Sequence, residues 1–169
     1  TETIVISEAD PLVLAPASVD ALCFGSLDGQ VSSTTTGGTA GYTYEWYDNA
    51  ALTNNVGSGS PVTGLAAGTY YVEVTDAFGC TTSGQVDVNE PADMVVTTSV
   101  TDANCGQSDG TVSVVSTTGG SGVYVSEVWT DASGLPVADP NMVSSGTYTV
   151  TVTDDNGCTG TGIANVADL

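Results

Sequence analysis

The chain has 169 residues and carries 20 Asp and Glu against no Lys, Arg or His, a net charge of −20. Without a basic side chain it has no electrostatic grip on nucleic acid or anionic lipid. It also lacks the usual general bases, Schiff-base lysines and arginine clamps of catalysis, so no enzyme is expected; only a carboxylate pair across a sugar cleft would remain, and the acidic residues fall mainly in turns.

Residues 1–8, TETIVISE, resemble the end of the later segment TTSGQVDVNEP, so they are expected to be the closing strand of a preceding copy of a repeat. The next stretch, SEADPLVLAPASVDALC, ends at Cys23 and recurs as NEPADMVVTTSVTDANC, ending at Cys105; both place Asp-Ala just before the cysteine. Each copy then has an Asp-Gly turn (Asp28-Gly29, Asp109-Gly110), a run of Val, Ser and Thr, a Gly-Gly pair (Gly37-Gly38, Gly119-Gly120) and a tryptophan (Trp46, Trp129). After a variable loop come GTYYVEVTDAFGCT from Gly68 and GTYTVTVTDDNGCT from Gly146. The expected divisions are 1–8, a repeat over 9–90 and a repeat over 91–169, each of roughly 80 residues and close to the small end of what folds alone.

The apolar period is two. Tyr70, Val72 and Val74 share one face and Tyr71, Glu73 and Thr75 the other; Tyr148, Val150 and Val152 repeat the arrangement, and Tyr42, Tyr44 and Trp46 share a face. In GVYVSEVW, Tyr124 and Trp129 fall on opposite parities, which predicts a bulge. Short strands punctuated by Gly, Asp-Gly and Asn-Gly, with no amphipathic helical window, indicate an all-β chain of tandem immunoglobulin-like antiparallel β-sandwich repeats, six or seven strands in each. Leu65 and Gly68 before Tyr70 fit the corner at which a tyrosine hydroxyl bonds back to nearby backbone. No segment reaches the 18 or more apolar residues of a membrane-spanning helix, and TETIVISEADP does not read as a signal peptide.

Four cysteines without any histidine point to disulfides and an oxidising compartment. Each pair brackets one copy, so Cys23–Cys80 and Cys105–Cys158 are the expected bonds, each stabilising its copy by about 4 kcal/mol in the chain-entropy model; a bond between neighbouring copies, such as Cys80–Cys105, is the rival. Asp28, Asp76, Asp109 and Asp154 are expected to accept backbone N–H bonds in turns, and the Gly-Gly pairs to be turn residues rather than a phosphate loop. Trp46 is expected to plug the core. Tyr47 and Tyr71, predicted to face outward, are the candidate sugar-stacking residues. Calcium is the candidate cofactor, because adaptable oxygen cages suit it better than magnesium; Asp87, Glu90 and Asp93 at the junction, and Glu8 and Asp10 before the first copy, are the candidate ligands, against the alternative of solvated charges. The short linker Asn89-Glu90-Pro91 is expected to set the two copies end to end.

The order Cys, Asp-Gly, Gly-Gly, aromatic-x-Trp, Leu-x-x-Gly-Thr-Tyr, Val-Thr-Asp-x-x-Gly-Cys and Glu-Pro resembles the SprB repeat of long surface adhesins of gliding and related Bacteroidetes bacteria. Cys23, Asp28, Gly29, Gly37, Gly38, Tyr44, Trp46, Leu65, Gly68, Thr69, Tyr70, Val74, Asp76, Gly79, Cys80 and Pro91 carry it in the first copy. The second departs at its aromatic-Trp strand, has Met142 where the first has Leu65, and ends without Pro. The resemblance implies export by the type IX system and display on the bacterial outer surface, as spacer or stalk repeats of an adhesin or filament. A carbohydrate-binding module is the alternative. The implied partners are neighbouring repeats, with any glycan or surface contact made through other domains and with neither nucleic acid nor membrane insertion.

Overall fold

The computed structural model describes residues 10–169; the expected strand over 1–8 and the candidate ligand Glu8 lie outside them. The chain forms two compact units. The first holds the described residues up to Ala21 together with Gly25–Glu90, and the second holds Leu22–Phe24 together with Pro91–Leu169.

In the first unit, alternating Val, Thr, Ser and Tyr give seven strands: β1 (Val13–Val19), β2 (Gly29–Thr36), β3 (Thr43–Tyr47), β4 (Asn55–Ser58), β5 (Val62–Leu65), β6 (Gly68–Thr75) and β7 (Thr81–Val88). They pair antiparallel into a three-stranded sheet, β1-β2-β5, and a four-stranded sheet, β4-β3-β6-β7, the three-plus-four arrangement of an immunoglobulin-like sandwich. The period-two face of β6 supplies Tyr70, Val72 and Val74 to a core centred on Trp46, which is wholly buried and donates its indole N–H to the Gly59 carbonyl at 3.0 Å. Tyr70 donates its hydroxyl to the Ala66 carbonyl at 2.9 Å, the expected corner.

The second unit has five strands: β8 (Val95–Thr101), β9 (Thr111–Thr118), β10 (Tyr124–Asp131), β11 (Gly146–Asp154) and β12 (Thr159–Val166). They form the sheets β8-β9 and β10-β11-β12. Where the first unit has β5 and β4, this one keeps only single bridges, Gly110 with Val143 and Thr130 with Pro136. The count therefore falls below six. The expected bulge lies between Tyr124 and Ser126 and restores the parity that buries Trp129. Tyr148 makes the same corner, its hydroxyl donating to the Ser144 carbonyl at 2.8 Å. One assignment is corrected: the residue that stands where the first unit has Leu65 is Val143, 3% exposed, and Met142 points to solvent at 66%. The corner geometry counts five residues back from the tyrosine, and the larger side chain is one position out of phase.

Candidate functional site: a cysteine loop in a carboxylate-braced socket

The repeated line at the end of β11 builds a turn around a buried carboxylate. Asp154, 1% exposed, accepts from the backbone N–H groups of Asn156 (3.0 Å) and Cys158 (2.8 Å) at Oδ1, and from that of Ser121 (2.8 Å) at Oδ2. Asp76 repeats the device in the first unit, accepting from Phe78 (2.9 Å), Cys80 (2.8 Å) and Thr39 (2.9 Å). These bonds favour the ionised form. The Ser121 N–H holds Asp154 below the ordinary carboxylate range, and the Thr39 N–H, followed by that of Cys80, does so for Asp76. The second glycine of each Gly-Gly pair allows this: at Gly120, with φ of +59°, a Cβ would lie 2.6 Å from Asp154 Oδ2, and at Gly38 one would lie 2.8 Å from Asp76 Oδ2. Asp109 braces a different turn, held below the ordinary range by the side-chain amide of Asn104 and then by its backbone N–H. Asp28 accepts from the Ser26 hydroxyl.

Beside the Asp154 turn lies a cleft of about 270 Å³ lined by Cys23, Phe24, Ala92, Asp93, Met94, Gly120, Gly157, Cys158 and Thr159. All belong to the second unit, because that unit takes in the tripeptide Leu22–Phe24. Cys23 is disulfide-bonded to Cys158 there, with a Cα–Cα separation of 5.5 Å. Backbone on either side of the tripeptide is tied down within the first unit. Ala21 N–H donates to the Asn89 carbonyl (2.8 Å), Asp20 accepts from Asn89 N–H (2.8 Å), and Gly25 N–H donates to Glu90 (2.6 Å).

The expected bonds Cys23–Cys80 and Cys105–Cys158 are not formed, and Cys80 and Cys105 are free and exposed. The reason is strand length. The tie between Ala21 and Asn89 fixes the base of the Cys23 loop just past the end of β7, whereas Cys80 stands just before its start. The eight residues Thr81–Val88 separate them by about 25 Å at ~3.3 Å per residue, against the 4.4–6.8 Å that a disulfide spans between Cα atoms. The same holds in the second unit, where Ala103 N–H bonds the Ala167 carbonyl past the end of β12 and Cys158 precedes that strand.

The other predicted residues are dispersed. Asp87 accepts from the Thr69 hydroxyl (2.6 Å), Glu90 closes the Gly25 turn, Asp10 contributes its carbonyl to Gly38 N–H (2.6 Å), and Asp93 is exposed. Among the described residues no group of three or more His, Cys, Asp or Glu is gathered to hold a metal. Tyr47 and Tyr71, by contrast, are brought together: they stand opposite each other on β3 and β6, half-buried and on the face away from the core. Asp20, which accepts from Asn89 N–H, and Asp102 and Asp168, which accept from the backbone N–H groups of Ala167 and Gly106, are functional positions that the sequence reading did not single out. The repeated Asp-Ala before each cysteine was the available signal.

Two antiparallel sheets closed over a buried tryptophan and cornered by a tyrosine, built twice, define an immunoglobulin-like β-sandwich repeat protein. Residues 15–51 match the family model described as the SprB repeat. Solved structures similar in fold include the three N-terminal domains of the bacteriophage RB49 Highly Immunogenic Outer Capsid protein, at 16% identity and a TM-score of 0.49, covering 94% of this chain and 59% of that one. The mouse nectin-like molecule 4 ectodomain follows at 13% and 0.41 (92% and 64% covered), and the eight N-terminal immunoglobulin domains of Down Syndrome Cell Adhesion Molecule at 11% and 0.39 (92% and 25%). The chain thus spans less than two thirds of each. No curated protein matches it.

Proposed function

We propose that the chain is a stretch of structural spacer repeats from a long extracellular adhesin or filament at a bacterial outer surface. The observation that carries this reading is the Cys23–Cys158 bond, which ties a loop early in the first repeat to the closing turn of the second. Such a crosslink suits an oxidising exterior and a load-bearing array. The absence of Lys and Arg, which removes every trypsin-type cleavage site, fits the same role. Small-angle scattering on chains of increasing repeat number tests it: the maximum dimension should grow linearly with the number of repeats, and a dimension that saturates refutes the spacer.

A second reading, an extracellular carbohydrate-binding module, draws on the cross-strand pair Tyr47 and Tyr71. Glycan-array binding that disappears in Tyr47→Ala and Tyr71→Ala would favour it. A silent array favours the spacer.

A further inference from the structure

The two sequence repeats each carry both halves of the crosslink, and each has one half left over. In the first unit, Asp10, Pro11, Leu12, Gly38, Cys80 and Thr81 line a cleft of about 340 Å³ together with Asp76. These are the counterparts of Ala92, Asp93, Met94, Gly120, Cys158 and Thr159, which line the cleft around Cys23. The turn holding Cys80 is braced by Asp76 as that of Cys158 is by Asp154, down to the carboxylate that accepts the cysteine's own N–H at 2.8 Å in both. In the second repeat Asn104-Cys105 stands where the first repeat has Leu22-Cys23, in a loop one residue shorter that has no counterpart of Phe24, and Gly106 takes the tie that Gly25 makes. Ala103 N–H donates to the Ala167 carbonyl (3.0 Å), Asp102 accepts from Ala167 N–H (2.9 Å), and Gly106 N–H reaches Asp168 (3.3 Å).

We propose that Cys80 and Cys105 are the two open ends of a disulfide ladder that runs from repeat to repeat. The cleft at Cys80 takes the cysteine loop of the repeat before it, and Cys105 enters the corresponding cleft of the repeat after it. The occupant in each case is another copy of this repeat, since the bonded pair inside the chain displays the occupied state of the same residues. A free cysteine alone would carry nothing; here the equivalent cysteine, in an equivalent cleft, already holds such a loop. Each rung forms when two thiols lose two electrons and two protons to a thiol–disulfide oxidant, a disulfide that is itself reduced to two thiols. The inference deepens the spacer reading and rests on it.

The test joins Leu169 of the full chain directly to Asp10 of a second copy. Val166 and Val88 hold the same register against Gly146 and Gly68, so this join reproduces the spacing at Pro91–Ala92. After oxidative folding, non-reducing peptide mapping should find Cys105 of the first copy bonded to Cys80 of the second, alongside a Cys23–Cys158 bond in each. Alkylation should then label only the first Cys80 and the last Cys105, and Cys105→Ser in the first copy should newly expose the second Cys80. If both Cys23–Cys158 bonds form while the junction thiols stay reactive, or if Cys80 bonds Cys105 of its own copy, the ladder is refuted. Scattering on the same fusion separates the two ideas: an unbonded junction whose length still grows sinks the ladder alone, whereas a bonded chain whose length does not grow sinks the spacer.

Discussion

Asp76 and Asp154 show how a single carboxylate can organise a whole turn. Each accepts three backbone N–H bonds that only the ionised form satisfies fully, so its folded pKa lies below that of the unfolded chain. Between those two values the unfolded chain holds protons that the folded chain does not. Stability is therefore complete above the unfolded value and is lost as pH falls through the folded one, that is, below about 4. Urea unfolding followed from pH 6 to pH 2 should show midpoints that drop in the acid range, and Asp76→Asn with Asp154→Asn should flatten that limb. An unchanged acid limb in the double variant would assign the loss to other groups. These turns were legible in the sequence because Asp two residues before a turn N–H, followed by Gly, is a local device. The ties of Asp20 and Asp102 were not, since their partners lie 69 and 65 residues away and only the fold brings them near.

Among the elements, side-chain parity was enough to place β6 and β11 and to foresee the bulge in β10. Parity fails where strands shrink to a bridge, and so the second unit's counterparts of β4 and β5 could not be read as elements. The Met142 assignment failed for a related reason: two adjacent apolar residues in a short irregular segment offer no period to choose between them. Their burial makes the choice testable. Val143→Ala should cost about 2 kcal/mol, as truncation of a buried aliphatic group does, while Met142→Ala should stay within about 0.5 kcal/mol, as exposed positions do. Equal losses by denaturant unfolding would contradict the register. Tyr148→Phe should remove the corner bond at a cost of about 1 kcal/mol.

For the whole molecule, the disulfide pairing was the part least legible in sequence. Bracketing cysteines suggests nearness, but an eight-residue strand lies between the two in each copy, and strand length decides which ends can meet. The bond that does form closes a separation of 135 residues. In the chain-entropy model a loop of this size contributes about 5 kcal/mol when everything within it unfolds together. Reduction, or Cys158→Ser, should accordingly lower the thermal midpoint, and Cys80→Ser in the chain by itself should leave it unchanged because that thiol is free. A midpoint insensitive to reductant would argue that the bond adds nothing to stability.

The Cys23–Cys158 bond also fixes how much slack the chain can release under tension. A pull applied to the two termini enters the loop at one sulfur and leaves at the other, so the intervening backbone is shunted and cannot be drawn out even if its strands give way. The hidden length is roughly 470 Å, from 135 residues at ~3.5 Å each. Single-molecule stretching should recover that extension only after reductant is added; when the sandwiches of the oxidised chain rupture, only the residues outside the loop, β1 and β12 among them, can extend.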